Sequence, residues 1–313
     1  MAKRRRRHIQ GTRREWGETL KRHWLAIVNP HAGGDRSRGR LAEILDGLQR
    51  IAKRTVLTRY PGHAVELAME AQAYAGVIAV GGDGTLFEIL KGIDRKKQRI
   101  ALIPLGRGNS LARDLGLLRR RVFFDVIDWD DVRYIDLLEV NVVTASGIES
   151  KHLSASTVAV GYPASVALRA RQMAWMGRMS YATAAAAIRP RHFGARVQYG
   201  DAVSREVRLS GFIANNTRYL ANFLAFHQGS CSDGLFEIME MDAGLLKQTT
   251  HNLSALSGTR VYEPYPHMQA SSAHVRLETP QDLMIDGEVF QEVLSFHIQI
   301  LPAALACNEP KVR

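Results

Sequence analysis

Cysteine is nearly absent from this chain of 313 residues, which contains only Cys231 and Cys307. Two cysteines form no disulfide framework, and they predict a reduced, cytoplasmic setting. Long apolar runs are also missing: the longest have the length of a strand, whereas a helix that crosses a membrane needs about 20 residues. The basic start at 4–7 precedes no apolar segment, so we do not expect a secretory signal.

Several nucleotide-binding signatures are missing as well. The chain has no Gly-Lys pair and therefore no P-loop. The His-Arg-Asp and Asp-Phe-Gly motifs of protein kinases do not occur. The Gly106-Arg107-Gly108 segment lacks the third glycine of a dinucleotide fingerprint, and the sequence shows no zinc-type cluster of Cys and His. Any phosphate site in this chain has to be built in another way.

The positive charge of the chain is concentrated at its start. Residues 1–22 hold nine Lys or Arg and two Glu, a net charge of +7, so the remaining residues carry only +4 of the total of +11. A basic tail of this kind can bind nucleic acid or an anionic membrane surface. It can also be a solvated leader without a specific partner, and the charge alone leaves these alternatives open.

Short apolar runs alternate with segments of helical spacing up to residue 115. The predicted strands are 25–28, 54–58, 76–80 and 100–103, and the predicted helices are 37–50, 63–74, 85–90 and 110–115. This alternation predicts a doubly wound α/β domain whose parallel sheet is covered on both faces.

Strands dominate from about residue 133. The predicted strands are 140–143, 158–160, 195–199, 206–213, 236–239, 275–277 and 294–301, and the exception is an Ala- and Met-rich helical stretch at 163–189. We therefore expect three parts: a disordered basic tail at 1–22, an α/β domain at 23–140 and a mainly β domain at 141–313.

Three loops rich in Gly, Asn and Pro follow the predicted strands of the α/β domain. They are Asn29–Gly34, Gly81–Thr85 and Pro104–Asn109. Ligands of parallel sheets bind beyond the carboxyl ends of the strands, so the three loops predict one binding site at this edge.

The Gly81-Gly82-Asp83-Gly84-Thr85 turn has the composition of a phosphate site. Glycines allow the backbone to approach a ligand closely, and the amides at the start of the following helix attract phosphate. Asp83 supplies a carboxylate suited to Mg²⁺, and Thr85 can cap the helix or bind a phosphate oxygen. A tight turn without a ligand is the alternative, and three glycines with Asp and Thr at a sheet edge favour phosphate.

Together these motifs resemble the diacylglycerol kinase catalytic domain family, which includes bacterial lipid kinases, sphingosine kinases and ceramide kinases. The likeness runs from about residue 25 to the C-terminus. It rests on Asn29-Pro30-x-x-Gly33, Thr58-x-x-x-Gly62-His63-Ala64, Gly81–Thr85 with Glu88, Pro104-Leu105-Gly106-x-Gly108-Asn109, Met176-Gly177-x-x-x-Tyr181, Asp233-Gly234-Leu235 and Asp286-Gly287-Glu288. The resemblance implies an ATP-binding α/β domain and a β-sandwich-like domain, whose last strands return toward the N-terminal domain.

The resemblance also implies roles for individual residues. ATP would contact Asn29, Thr58, Gly81, Gly82, Asp83, Gly84, Thr85, Glu88, Gly106, Arg107 and Asn109. Asp83 would lie near the catalytic Mg²⁺, and Glu288 would act as the general base that takes the proton of the lipid hydroxyl. Without the resemblance, Glu288 reads as a solvated residue on a hairpin turn at 284–290, where Asp-Gly is a usual turn pair.

Three positions depart from the family pattern. Arg107 stands where the family usually has Thr or Ser, and Ser110 replaces the Asp that follows Asn109 in diacylglycerol kinases. Ser230 replaces one of the two acids of a structural Mg²⁺ site found in some members, which leaves Asp233 as the only carboxylate there. A single carboxylate is a poor Mg²⁺ site, so we expect no tight structural metal.

The sequence thus predicts a lipid kinase that uses ATP and Mg²⁺, acts in the cytoplasm and associates peripherally with a membrane. Diacylglycerol is the default acceptor, and a sphingoid base or ceramide is possible. We expect no nucleic acid partner. The alternatives are an enzyme like NAD kinase, which shares the Gly-Gly-Asp-Gly-Thr turn, and a nucleotide-binding regulator without catalysis.

Overall fold

The computed structural model describes residues 23–106, 108–119, 127–173, 176, 180–220, 224–241, 261–262 and 267–310. Its first elements are β1 (Trp24–Val28), α1 (Asp35–Ile51), β2 (Arg54–Leu57), α2 (His63–Met69), β3 (Gly76–Gly81), α3 (Asp83–Gly92), β4 (Arg99–Pro104) and α4 (Ser110–Asp114). Parallel pairing gives the order β2-β1-β3-β4. The strands and helices predicted for this region are confirmed, although α2 ends in a 3-10 turn at Glu70–Ala73.

Both faces of this parallel sheet are covered by helices. On one face, Ile78 of β3 packs with Leu48 of α1. On the other face, Val77 packs with Leu67 of α2 and Ile89 of α3. Because neighbouring residues of one strand are buried on opposite faces, the strands are continuous apolar runs, which is the pattern seen in the sequence.

The second half of the chain is mainly antiparallel. Its elements are β5 (Ile127–Thr144), β6 (Glu149–Ser154), β7 (Thr157–Gly161), α5 (Tyr162–Gln172), α6 (Ser180–Ala187), β8 (Phe193–Tyr199), β9 (Arg205–Leu209), β10 (Gly211–Asn215), β11 (Tyr219–Leu220), β12 (Leu224–Ala225), β13 (Phe236–Met241), β14 (Val261–Tyr262), β15 (His267–Ala270), β16 (Ser272–Ile285) and β17 (Glu288–Pro310). The path of the large sheet is β15-β13-β10-β7-β16-β17-β4-β3-β1-β2.

Strand β16 changes partner along its length. Residues 273–277 pair with β8, whereas 283–285 pair with β7, and the register with β17 shifts between these segments. Such irregularities let one strand take part in two layers. Side chains from β5, β7, β8, β10, β13, β16 and β17 therefore share one apolar core.

The last strand connects the two halves of the sheet. Cys307 of β17 pairs in parallel with Ile100 of β4. Cys307 and Leu305 are fully buried in the apolar core that α2 and α3 form with the sheet. The C-terminal end of the chain is thus part of the N-terminal core. The predicted domain limit after residue 140 falls inside β5 and stays a prediction, as does the tail at 1–22, which lies outside the described residues.

Several features differ from the sequence prediction, and the short strands β11, β12, β14 and β15 were not predicted. The predicted strand 206–213 is two strands, because the N–H of Ser210 donates to the Met241 carbonyl at 2.6 Å while its own carbonyl accepts from Tyr162 at 2.8 Å. The helical stretch 163–189 contains two helices, α5 and α6. β6 was not predicted, since its sequence Glu-Ser-Lys-His-Leu-Ser is mostly polar.

Of the described helices, none has the length and apolarity needed to cross a bilayer.

Candidate active site

The turn between β3 and α3 occupies the edge predicted for the binding site. Gly82 joins the end of β3 to the first turn of α3, whose free amides and helix dipole attract anions. Gly84 is exposed, with open space where a side chain would begin. Thr85 is buried, and its hydroxyl accepts a hydrogen bond of 3.1 Å from Nδ2 of Asn29. The loops after β1 and β3 are therefore joined, as expected of one site.

The loop after β4 lies against this turn with no space between the two backbones. The amides of Leu105 and Gly106 donate to the Gly81 carbonyl at 2.8 and 3.1 Å. A Cβ on Gly106 would lie 2.4 Å from Cα of Gly82, which explains why both positions are glycine. The third of the three predicted loops thus also reaches the site.

Asn109 holds the end of the same loop in place. It adopts a left-handed conformation (φ 51°), and its Nδ2 donates to the Gly106 carbonyl at 2.6 Å. Its Oδ1 is buried and has no hydrogen-bond donor among the described residues. An acceptor of this kind beside the phosphate turn can bind a donor group of a ligand. Arg107 lies outside the described residues, and its contact with a phosphate stays a prediction.

Asp83 stands at the first position of α3 and is partly buried. Its Oδ1 accepts a hydrogen bond of 2.8 Å from the amide of Ser110, the first residue of α4. Burial raises the pKa of Asp83, and the hydrogen bonds of Ser110 and Asn109 and the charge of Arg113 act against this rise. A cation bound here would compensate the negative charge of Asp83, and because this is a single carboxylate, a Mg²⁺ ion would need further oxygen ligands from the nucleotide.

Thr58 and Glu88, the other two predicted ATP contacts, have different hydrogen-bond partners. Thr58 follows β2, is buried, and donates its amide to the Val28 carbonyl at 2.8 Å. The carboxylate of Glu88 accepts hydrogen bonds from the amides of Gly62 at 3.1 Å and Ala64 at 3.3 Å. Glu88 therefore binds the N-terminal turn of α2 and fixes the loop that follows β2.

The Asp286-Gly287-Glu288 segment forms the predicted hairpin turn. Ile285 pairs with Glu288, and both central residues have positive φ (46° and 94°), as two-residue hairpin turns require. This part of the sequence prediction is confirmed.

Asp286, however, is buried instead of lying in solvent. Its Oδ1 accepts hydrogen bonds from the Ser154 hydroxyl at 2.8 Å and from the amides of Ser156 at 3.1 Å and Thr157 at 2.7 Å. Its Oδ2 accepts from the amide of Ala155 at 2.7 Å. These four donors belong to the turn between β6 and β7, so Asp286 anchors the hairpin to that turn.

Burial raises the pKa of Asp286 to about 6, although the hydrogen bonds from Thr157, Ala155 and Ser154 favour the ionised form. The charge of Asp83 raises this pKa further. The negative charge of the Asp83 carboxylate therefore acts on the buried carboxylate of the hairpin.

Glu288 reaches from the hairpin to α3. Its Oε2 forms an ion pair of 2.7 Å with Nζ of Lys91. The Lys91 ammonium also lies 4.2 Å from the centre of the Phe87 ring. The centre of the His152 ring lies 4.2 Å from that of Phe290, two residues after Glu288, and the two rings are tilted by 46°. The structure thus connects the predicted base to the helix that starts at Asp83.

Asp136 was not found by sequence reasoning. Its Oδ2 accepts from the Gly234 amide and its Oδ1 from the Ala303 amide, both at 2.7 Å. This buried carboxylate connects β5 to β17 and to the turn that follows Ser230. No sequence motif marks it, because its two partners lie about 100 and 170 residues away in the chain.

Asp233, the second predicted metal ligand, lies in the turn next to Asp136. Its Oδ1 accepts a hydrogen bond of 3.1 Å from the Leu235 amide, and burial raises its pKa. Over the described residues, no three His, Cys, Asp or Glu are grouped as a metal site. Asp233 as a metal ligand stays a prediction, and any Mg²⁺ at Asp83 would need oxygens from the nucleotide.

Comparison with known proteins identifies this α/β unit. Residues 23–140 match the family model of the diacylglycerol kinase catalytic domain. The matched segment includes the three loops of the site and ends within β5.

Relatives of the catalytic domain differ in how much of their length this chain spans. Diacylglycerol kinase of Bacillus subtilis is 25% identical over 280 residues, which cover 84% of this chain and 88% of that protein. Sphingosine kinase B of Dictyostelium discoideum is 31% identical over 112 residues, and the Bacillus subtilis protein YtlR is 32% identical over 103. The matched segments span only 15% and 33% of the length of these two proteins.

A solved structure shows the same fold beyond the catalytic domain. A diacylglycerol kinase from Bacillus anthracis str. Sterne superposes with a TM-score of 0.69 at 22% identity, and the match covers 91% of this chain and 96% of that one. The predicted fold class, an α/β domain followed by a β-rich half, is confirmed.

Proposed function

We propose that this chain is a lipid kinase that transfers the γ-phosphate of ATP to a lipid hydroxyl with the help of Mg²⁺. One observation carries the proposal: the Asp286–Glu288 hairpin, about 200 residues away in sequence, contacts the helix that begins at the Gly81–Thr85 turn, through the ion pair of Glu288 with Lys91. A phosphate site and a carboxylate base on one cleft are what a transfer to a hydroxyl requires.

The proposed ATP contacts come from the loops at the sheet edge. The amides of Gly82, Gly84 and Thr85 would bind the phosphates. The Gly81 carbonyl and the Gly106 amide hold the two backbones together. Asn29 fixes the Thr85 hydroxyl, and Asn109 offers its buried oxygen to a donor group of the nucleotide. Thr58 is added to this set by resemblance, and Arg107, which departs from the family pattern, would pair with a phosphate through its guanidinium group. Glu88 shapes the site through the start of α2.

Asp83 and Glu288 have separate proposed roles. Asp83 would hold Mg²⁺ together with phosphate oxygens, and the metal neutralises charge on the phosphates when it is bound. Glu288 takes the proton of the lipid hydroxyl as the oxygen attacks the γ-phosphorus, and ADP leaves. Its side chain is 37% exposed, so an acceptor can reach it from the cleft.

Transfer of label from γ-labelled ATP to a panel of acceptors tests this function. The panel contains diacylglycerol, sphingosine, ceramide, phosphatidylglycerol and NAD. We expect label in at least one lipid. Diacylglycerol is the default acceptor, and a sphingoid base is the alternative, because Ser110 replaces the Asp found in diacylglycerol kinases. The Asp83→Asn chain, purified in parallel, should label no acceptor and so controls for a contaminating kinase. Label in NAD alone would overturn the proposal.

We infer in addition that the enzyme works at the cytoplasmic face of a membrane, held there by its tail. The free, buried Cys231 and Cys307 suit a reducing compartment. Residues 1–20 contain seven Lys or Arg, each contributing about 1 kcal/mol near an anionic surface.

Deleting these residues should weaken binding to phosphatidylserine vesicles at least about 100-fold, while activity on detergent-dispersed lipid survives. Phosphatidylcholine vesicles are the control. Unchanged binding to the anionic vesicles would refute the role of the tail.

A further inference from the structure

Lys91 belongs to none of the motifs found in the sequence, and it has no part in the proposed reaction. It lies in the last turn of α3, and Asp83, Phe87 and Lys91 follow each other at intervals of four. Residues at this spacing share one face of a helix. The face that begins at the phosphate turn therefore ends at Lys91, and it is the face turned toward the hairpin.

The Lys91 side chain is held by its surroundings. Phe87 is fully buried in the apolar core of the β-rich half, together with Val140 and Phe296. The Lys91 ammonium lies 4.2 Å from the centre of this ring, so a fixed side chain supports it.

The partner of Lys91 is held as well. The four hydrogen bonds of Asp286 fix the hairpin backbone, and they leave the Glu288 side chain free to rotate. The 2.7 Å contact with Lys91 removes that freedom. Burial is the main cause of the lowered pKa of His152. The positive charge of Lys91 lowers this pKa further, and the negative charge of Glu288 raises it, so His152 interacts with both members of the ion pair. The anchored hairpin and the anchored lysine together define where the carboxylate lies.

We infer that Lys91 is a positioning residue for the base: it holds the Glu288 carboxylate against α3. This inference rests on the proposed function. A basic residue in the last turn of a helix can also stabilise that helix through its dipole, and this is the competing explanation. The two explanations differ in one respect, since only a positioning role depends on Glu288.

A double-mutant cycle in label transfer separates them. Lys91→Met should lower kcat about 10- to 100-fold with the KM values for ATP and lipid within about twofold, because misplacing the base affects the chemical step. Lys91→Arg should recover kcat to within about fivefold of the wild type, since it restores the ion pair. In the Glu288→Gln background, Lys91→Met should change the residual kcat by less than about twofold. Lys97→Met, which removes an exposed ion pair of 3.3 Å with Asp94, is the matched control and should keep wild-type kcat.

The outcomes separate the two proposals. Wild-type label transfer to a lipid, combined with an unchanged kcat in Lys91→Met or an equal loss in both backgrounds, would overturn the inference and leave the kinase standing. A rise in the KM for ATP at constant kcat would also overturn it, because Lys91 would then bind the nucleotide. A wild-type chain that labels no lipid would overturn the proposed function and, with it, the role of Lys91.

Discussion

Glu288→Gln is expected to lower kcat about 10²- to 10⁴-fold, the usual contribution of a general base. Glutamine has nearly the same size, and its oxygen can still accept a hydrogen bond from Lys91, so the hairpin should keep its place. The substitution removes only the ability to take the proton of the lipid hydroxyl. Because the ATP loops lie on the catalytic domain, ATP binding should change less than about twofold, which calorimetry on the purified variant measures directly.

Glu292→Gln is the matched control for this variant. Glu292 lies on the same strand, four residues further along, and is exposed. It should retain wild-type kcat and stability. Near-normal turnover in Glu288→Gln would remove Glu288 from the role of base, and a parallel loss in both variants would point to damage to β17 instead.

Asp286→Ala is expected to lower the free energy of unfolding by about 3–5 kcal/mol, because it leaves four buried donors without their acceptor. Urea denaturation at pH 7 measures this loss. The exposed Asp282 of β16, the strand that leads into the turn, provides the control, since Asp282→Ala should change stability by less than about 0.5 kcal/mol. A loss of the same small size in Asp286→Ala would show that this carboxylate does not anchor the hairpin.

The pH dependence of stability tests the same carboxyl group in a second way. Its pKa is about 6 in the folded chain and about 3.9 when unfolded. Between these values the folded state binds a proton and the unfolded state does not, so the contribution of Asp286 falls as the pH rises from about 4 to 6. The total change is up to about 3 kcal/mol. Asp286→Asn has no such group, and the difference in stability between wild type and this variant should change by this amount across the window. A constant difference would contradict the raised pKa.

The N-terminal elements could be predicted because each carries its own signal. Buried parallel strands are short apolar runs, and the helices between them show apolar residues at helical spacing, as Leu41 to Leu48 do in α1. The same rule explains why β6 was missed. Its polar residues lie on an exposed hairpin with β5, where pairing and not burial defines the strand.

The site was predictable to the extent that its loops follow strands. The carboxyl ends of neighbouring parallel strands meet at one edge of a sheet, so the sequence alone predicts that Asn29, Thr85 and Gly106 lie near each other. The partners of Asp286 and Glu288 were not, since an Asp-Gly turn normally lies in solvent. Only the packing of the β6–β7 turn onto the hairpin buries Asp286, and only the direction of α3 brings Lys91 to Glu288.

The most direct test of the central claim is the partition of label between lipid and NAD when the full chain is given γ-labelled ATP, Mg²⁺ and both acceptors in mixed micelles. The cleft formed by the phosphate turn and the Glu288 hairpin predicts label in the lipid phase, at a rate that falls at least about 100-fold in Glu288→Gln. Label confined to NAD, or lipid label formed equally fast by Glu288→Gln, would contradict this account.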